Sequence, residues 1–284
     1  MLLMNVTEHQ IFVENKAKDI LSLPQGYVER FQRMYKPFFF IPSSLEDINN
    51  LSIKLEYCLD KQQIEKWESM IQFQSVHCQR PIPGRNLRIL VHNEYNNSFL
   101  GVIRLTQCLP RLPLIDKHIG WTEEIKWRGA IQKINNVQAL VPCQPFGFNC
   151  LGGKLLMTLS ATKEITDKWE ELFGEKLYAL YTLSMTAGLN QYSGVRQYKS
   201  LGHTDGEISR GVYFCSLYDN AVELLKEIDT IPICDKRQTV SEMVSEWKPK
   251  AIARMKKLIS NGRLKTAIET YDNLYKFMEN PFFG

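Results

Sequence analysis

Residues 148–156 read Phe148-Asn149-Cys150-Leu151-Gly152-Gly153-Lys154-Leu155-Leu156. This stretch follows a strand-like run that ends at Pro142, and it opens a helix-like run. Adjacent glycines let a ligand approach the backbone, and the first amides of a helix have no intrahelical acceptor. The stretch therefore predicts an anion site between a strand and a helix, with Gly152, Gly153 and Lys154 at its centre. A tight turn without a ligand is the alternative.

The segments around this stretch predict a mixed sheet. The predicted strands are 87–92, 98–105, 137–142, 177–185 and 211–217, and the predicted helices are 1–36, a short helix capped at 43–47, 61–71, 121–128 and 153–173. The first two strands form a hairpin across a turn at 93–97. Strands and helices do not alternate regularly, and neither G-x-G-x-x-G nor a P-loop occurs, which argues against a Rossmann or P-loop nucleotide domain. The fold class is α/β (α+β), a mixed central sheet flanked by helices.

Three segments are expected along the chain. Residues 1–75 form an N-terminal helical extension, residues 76–234 the α/β domain, and residues 235–284 a basic C-terminal segment. Between Lys248 and Lys276 there are eight Lys or Arg and two acids. Apolar residues at helical spacing on both sides of Asn261-Gly262 predict a basic helical hairpin. Such a lopsided charge favours nucleic acid as a partner, whereas a solvated helical face is the alternative.

Composition narrows the class of protein. The chain has 284 residues, 44% hydrophobic and 23% charged, with a net charge of +4. No apolar run reaches the roughly 18 residues of a membrane span, and the first residues do not resemble a signal peptide. The seven cysteines form no C-x-x-C pair. We therefore expect a cytoplasmic protein with neither disulfides nor a metal site, and without a membrane partner.

Two polar loops carry further candidate residues. Residues 192–206 combine tyrosines, glycines, His203 and Asp205 after a strand, which suits proton transfer, although a turn at Asp205-Gly206 explains the same residues. His77 with Arg80 and Arg85 precedes the hairpin and suits phosphate contact. A solvated loop is the alternative there.

Elements between residues 77 and 206 share their order with a known family. They are His77 with Arg80-Pro81; Gly84; Leu87-Arg88-Ile89-Leu90-Val91; Leu100-Gly101; Ile119-Gly120-Trp121-Thr122-Glu123-Glu124; Asn135-Asn136; Leu140-Val141-Pro142; Leu151-Gly152; and Tyr198, Leu201, Gly202, Thr204 and Gly206. This order resembles the domain of DruA, a component of the Druantia anti-phage system. The resemblance implies a role in phage biology or phage defence, with partner proteins from such a system.

The order of elements also resembles the acyl-CoA N-acyltransferase (GNAT) fold. It is similar in architecture to the phage Mom protein, which modifies adenine in DNA. In GNAT proteins the loop after the fourth strand binds pyrophosphate. The resemblance therefore implies acyl-CoA, or another phosphate-bearing group donor, as cofactor. The implied cofactor-binding residues are Phe148, Asn149, Leu151, Gly152, Gly153 and Lys154.

DNA modification would need residues that hold a flipped base, move a proton and contact phosphates. The candidate catalytic residues are His77, Tyr192, Tyr198, His203 and Asp205. The candidate nucleic-acid contacts are Arg80, Arg85, Trp121, Arg196, Arg254, Lys256, Lys257, Arg263 and Lys265.

Three functions stay open at this point. The first is a GNAT-like transferase that modifies DNA bases. The second is a non-catalytic module that binds nucleic acid or a partner in a defence or counter-defence system. The third is an N-acetyltransferase acting on proteins or small molecules.

Overall fold

The computed structural model describes residues 39–74, 84–184, 191–205, 210–227, 231–265 and 269, with backbone alone at 72–74 and 148. The helices are α1 (Leu45–Asn49), α2 (Lys61–Gln74), α3 (Pro113–Ile119), α4 (Glu123–Trp127), α5 (Phe146–Asn149), α6 (Gly152–Leu159), α7 (Lys163–Phe173), α8 (Ala221–Glu227) and α9 (Val240–Ser260), with a 3₁₀ turn at Ala130–Lys133. The strands are β1 (Ile53–Tyr57), β2 (Asn86–Asn93), β3 (Phe99–Gln107), β4 (Ile134–Pro142), β5 (Ala179–Leu183), β6 (Lys199–His203) and β7 (Gly211–Ser216).

The seven strands form one sheet in the order β1-β2-β3-β4-β5-β7-β6. All neighbouring strands are antiparallel except β4 and β5, which run parallel. The parallel pairing covers only Ile134–Asn136 of β4, although β4 continues to Pro142. The mixed α/β class predicted from the sequence is confirmed. Beyond the parallel pairing, the side chains of Thr182 and Gln191 donate to the carbonyl oxygens of Val137 and Leu140 on β4.

Helices cover both faces of the sheet. Consecutive residues of β2, such as Ile89, Leu90 and Val91, are all fully buried, which alternating side chains permit only when both faces are covered. Helix α2 packs on β2, β3 and β4, while α6, itself covered by α9, packs on β3 and β4. Trp67 of α2 donates its indole N–H to the carbonyl oxygens of Ile89 and Ile103. The core therefore forms two layers, one on each side of the central strands.

The long helix predicted over 153–173 is wrong, because two helices replace it. Ser160 ends α6 and Thr162 precedes α7. The Ser160 hydroxyl donates to the carbonyl of Met157, and the Thr162 hydroxyl donates to the carbonyl of Leu159. Such local side-chain bonds compete with helix continuation. After the break, the Glu164 carboxylate at the start of α7 accepts from the Val240 amide at the start of α9 at 3.0 Å.

The predicted segment boundaries at 75 and 235 do not match breaks in packing. Strand β1 lies inside the range assigned to a helical extension, yet it pairs with β2 from Ile53 to Tyr57. Helix α9 lies in the range assigned to the C-terminal segment, yet it packs on α1, α6 and β1. The helix predicted before Pro37 lies outside the described residues.

The structure confirms two predicted helix caps and contains elements that the sequence pattern does not predict. Ser44 caps α1 in a capping box with Asp47, and Thr122 caps α4, as their positions predict. Strand β6 was interpreted as part of a loop, and helices α3 and α8 were not predicted. Of the predicted C-terminal hairpin, α9 and the turn at Asn261-Gly262 are described, whereas most of its second helix lies outside the described residues. No helix in the described part of the chain is long and apolar enough to cross a membrane.

Candidate functional site

The glycine loop, residues 148–154, lies at the carboxyl end of β4. Leu151 adopts a left-handed backbone with φ 57° at the N-cap, and α6 starts at Gly152. Residues at the first positions of a helix have amides without intrahelical acceptors, and the helix dipole places partial positive charge there. The predicted strand-to-helix connection is present, but it includes the unpredicted short helix α5, so only Cys150 and Leu151 lie between α5 and α6.

Packing demands glycine at position 152 and leaves little room for a larger residue at position 153. A Cβ atom on Gly152 would lie 2.5 Å from two ring carbons of Phe146. A Cβ atom on Gly153 would lie 2.5 Å from the amide oxygen of Gln191. These contacts explain the two glycines without a ligand, so the glycines alone do not establish a binding site.

A distant segment closes over the loop. The Lys154 ammonium donates to the Ser193 carbonyl oxygen at 2.6 Å, and the Gln191 amide donates to the Leu140 carbonyl oxygen at 3.1 Å. The 191–194 turn, residues Gln191 to Gly194, thus bridges the end of β4 and the start of α6. Two of the stretches singled out from the sequence meet here.

Lys154 and Lys250 lie close to each other at the start of α6, and Arg254 lies near Cys150; we call these three residues the loop cations. Burial lowers the pKa of Lys154, and the nearby charge of Lys250 lowers it further. Burial also lowers the pKa of Arg254, which is close enough to Cys150 and Arg263 to interact with both. Close cations of this kind repel one another, and an anion between them would relieve the repulsion.

Two buried donors next to the loop have no hydrogen-bond partner among the described residues. They are Nδ2 of Asn149, whose side chain is 5% exposed, and Nε of Arg254. An unpaired buried donor costs about 1–3 kcal/mol, so such groups are uncommon unless a ligand or water satisfies them. Both donors therefore fit an acceptor-rich anion in the loop.

Helix α9 holds the loop from outside. The indole N–H of Trp247 donates to the Leu151 carbonyl oxygen at 3.2 Å, and the Trp247 ring packs edge-on against Phe146. Lys250 was not singled out from the sequence. The sequence feature that could have identified it is the helical spacing of Lys250, Arg254 and Lys257. This spacing places three cations in a row beside the buried face of α9.

The predicted tyrosines have different environments. Tyr192 stacks at a tilt near Tyr213, with ring centroids 5.4 Å apart, and burial raises the pKa of its hydroxyl. Thr182 and Gln191 also hydrogen-bond to this hydroxyl. Tyr198 is 5% exposed, and its hydroxyl shares a 2.8 Å hydrogen bond with Ser160, while burial raises its pKa strongly. Tyr192 thus borders the loop, whereas Tyr198 belongs to the core beneath α6.

The remaining catalytic candidates do not join this cluster. His203 is the last residue of β6, pairs in register with Gly211, and is exposed, as is Asp205. Strand β7 separates them from β5. His77 and Arg80 lie outside the described residues.

The predicted nucleic-acid contacts are spread over the molecule. Lys256, Lys257, Arg263 and Lys265 are exposed at and beyond the carboxyl end of α9. Arg85 is 3.8 Å from Glu175 and lies over the Phe173 ring, away from the loop.

Packing accounts for Trp121. It donates its indole N–H to the Leu225 carbonyl oxygen at 2.9 Å, and Lys126 lies over its ring. Within the described ranges, no three His, Cys, Asp or Glu side chains come close enough to hold a metal ion.

These features define the class of protein: a mixed α/β domain with cationic side chains and two unpartnered buried donors near the helix start that follows its fourth strand. The family model described as Druantia protein DruA matches residues 29–219. The chain therefore belongs to the DruA family, and the resemblance found in the sequence is confirmed.

A curated relative supports the same assignment. Druantia protein DruA of Escherichia coli (strain UMEA 4076-1) is 27% identical over 141 residues, which cover 43% of this chain and 34% of that protein. The match thus spans about a third of the relative's length. No solved structure matches the chain. The GNAT and Mom resemblance stays a prediction.

Proposed function

We propose that this DruA-family chain works in anti-phage defence as a GNAT-like transferase that moves a group from a phosphate-bearing donor, such as acyl-CoA, to a base in DNA. The observation that carries the proposal is the pair of unpartnered buried donors, Asn149 Nδ2 and Arg254 Nε, beside the start of α6. The loop cations lie along the same stretch of chain contacts, Lys154 with Lys250 and Arg254 with Cys150, so charge and hydrogen-bonding capacity agree.

The residues present fit a pyrophosphate group. The first amides of α6, the Lys154 ammonium and the two unpartnered donors offer the contacts that phosphate oxygens accept. Acyl-CoA, when bound, would supply a thioester as the source of the group.

Tyr192 suits the proton step of such a transfer. Its hydroxyl hydrogen-bonds to Gln191, whose side chain packs against Gly153, and burial raises the pKa of the hydroxyl, so it stays protonated at neutral pH. A protonated phenol held by Thr182 and Gln191 can donate to a leaving group. His203 and Asp205 lie on the far side of β7 and stay predictions as proton acceptors.

DNA contact is supported by the exposed basic end of α9. A target base must leave the stack before its exocyclic amine can react, and a basic surface beside the site would hold the strand during that step. Lys256 and Lys257 lie on α9, the helix that also carries Lys250 and Arg254. The same helix would therefore join the donor site to the DNA surface.

The test is mass spectrometry of nucleosides from the DNA of cells that express the chain. Gly152→Asp is a poor inactive control, because any side chain there meets the Phe146 ring. The double variant Lys154→Gln/Lys250→Gln removes two loop cations without adding bulk, and Lys61→Gln at the exposed start of α2 is the matched control. We expect a new nucleoside with the parent chain and with Lys61→Gln, and its loss in the double variant.

Coenzyme A binding gives a second readout. Calorimetry should detect binding to the parent chain and at least tenfold weaker binding to Lys154→Gln/Lys250→Gln. Unchanged nucleosides together with no coenzyme A binding by a folded parent chain would refute the transferase.

The packing of Gly152 against Phe146 favours a second candidate function, a non-catalytic module that binds nucleic acid or a partner protein of a defence system. It needs no ligand at the loop, since the glycines have a packing reason. This candidate predicts that charge reversal at Lys256 and Lys257 abolishes protection against phage, whereas Lys154→Gln/Lys250→Gln leaves it intact.

A further inference from the structure

A cavity lies at the end of the sheet opposite the glycine loop. It measures about 450 Å³ and is bounded by the end of β7, the α6–α7 junction, the chain before β6 and the start of α9. Its lining is Ala161, Arg196, Gln197, Cys215, Ser216, Leu217, Lys236, Arg237, Gln238 and Met243. Ser216 pairs with Ala179, the first residue of β5, so the cavity borders the amino ends of the parallel strands. The glycine loop is at their carboxyl ends.

The charge of the lining is one-sided. Three of its residues are cationic and none is acidic. Arg237 is fixed in the wall: it bonds to both carboxylate oxygens of Asp235, to the Asp167 carboxylate and to the Thr166 hydroxyl, and its side chain is only 8% exposed. Its charge is thus balanced in place, and Arg196 and Lys236 are the cations of the lining that favour an anion.

The other two cations are held loosely. Arg196 is 75% exposed and 3.5 Å from Glu246, and Lys236 is 43% exposed and 3.6 Å from Asp219. Exposed pairs at such distances contribute little to stability. Both side chains can therefore turn from their carboxylates to an incoming anion at small cost.

The inner part of the cavity is apolar with two amides. Leu217 and Met243 are buried, and the amide of Gln197 reaches the Gln238 oxygen and the Met243 sulphur at 3.5 and 3.4 Å. Burial raises the pKa of the Cys215 thiol to about 12, so this thiol stays neutral and the cavity has no nucleophile there. Apolar walls with paired amides suit a flat heterocycle, because a glutamine amide matches the donor–acceptor edge of adenine.

We propose that this cavity binds a nucleoside phosphate, with the base against Leu217 and Met243, its edge on the amide of Gln197, and the phosphate between Arg196 and Lys236. The Gln238 amide donates to the Glu246 carboxylate and so closes the wall behind Gln197. The ligand is either a free mononucleotide or the phosphorylated end of a nucleic-acid strand. The site is separate from the proposed donor site, since the two lie at opposite ends of β4 and β5.

The test is calorimetric titration of the full chain with adenosine monophosphate. We expect saturable binding that weakens at least tenfold in Arg196→Gln/Lys236→Gln and is unchanged in Lys61→Gln. Both altered side chains are exposed, so the double variant is expected to fold, and its melting temperature checks this. Lys154→Gln should bind as the parent does. No saturable binding to the parent chain, or weaker binding in Lys154→Gln but not in the double variant, would overturn the proposal.

Two further arms test the base and the source of the ligand. Ribose 5-phosphate should bind at least tenfold more weakly than adenosine monophosphate, and Gln197→Met should remove that difference; equal binding of the two ligands to the parent chain would overturn base recognition. A 5′-phosphorylated oligonucleotide that displaces adenosine monophosphate assigns the site to a strand end. Failure to displace it assigns the site to the free nucleotide.

Discussion

At the scale of single residues, Gly152 shows how packing and binding can demand the same residue. Gly152→Ala places a methyl group against the buried Phe146 ring, and we expect a loss of about 2 kcal/mol in the free energy of unfolding. Urea denaturation measures it. Gly153→Ala is the matched control, since it meets the end of the flexible Gln191 side chain and should cost less.

A double-mutant cycle checks that reason. Phe146→Leu shortens the ring that the new methyl group would meet, so Phe146→Leu/Gly152→Ala should lose about 1 kcal/mol less than the sum of the single changes. Strict additivity would mean that Gly152 acts through some other contact.

Glu56 gives a pH-dependent prediction at the same scale. A hydrogen bond from buried His92 and the ion pair with Lys66 lower the pKa of Glu56 from 4.5 to about 2. A lowered carboxyl pKa stabilises the fold above its unfolded value, and this contribution is lost as pH falls from about 4.5 through about 2. We estimate about 2 kcal/mol after allowance for solvent screening.

The measurement compares the parent chain with Glu56→Gln by chemical denaturation at several pH values. The gap in unfolding free energy should be constant above pH 5 and should narrow steadily toward pH 2. A gap that does not change with pH would show that the ionised carboxylate is not what stabilises this contact.

At the scale of elements, the start of α9 is fixed by its cap. The Thr239 hydroxyl accepts from the Glu242 amide, and the Glu242 carboxylate accepts from the Thr239 amide at 2.7 Å. Thr239→Ala should cost about 1 kcal/mol of unfolding free energy, while Thr239→Ser, which keeps the oxygen, should cost little. Thermal denaturation compares the two variants, and equal losses would contradict the cap.

Elements were predictable where a local signal decides them. The β2–β3 hairpin and the caps at Ser44 and Thr122 follow from alternation and from side chains that bond to the first turn. Strand β6 escaped prediction because Lys199–His203 is an edge strand without apolar alternation, and it forms only by pairing with β7. Its register depends on a distant partner that local pattern does not contain.

At the scale of the whole molecule, the sequence predicted the glycine loop but not the residues that pack around it. The glycine pair and Lys154 are adjacent in the chain, so their grouping needs no tertiary information. Gln191 and Lys250 join them only because β5 and α9 fold back over α6. The cavity at the far end assembles from four separate segments, and no single stretch of sequence predicts it.

The placement of charge gives the last prediction. Lys256 and Lys257 are exposed on the part of α9 that continues past the loop cations, where we propose that DNA is held. Removing one cation that binds a phosphate should reduce the slope of log affinity against log salt concentration by about 0.9 on duplex DNA. Lys256→Gln/Lys257→Gln should therefore lower the slope by about 2. Fluorescence anisotropy measures the affinity for DNA between about 50 and 200 mM salt, a range over which that affinity falls steeply. The control Lys61→Gln/Lys117→Gln removes the same charge from exposed sites on α2 and α3, so it changes the net charge equally. Equal slopes for the two double variants would mean that net charge alone, and not the end of α9, attracts the nucleic acid.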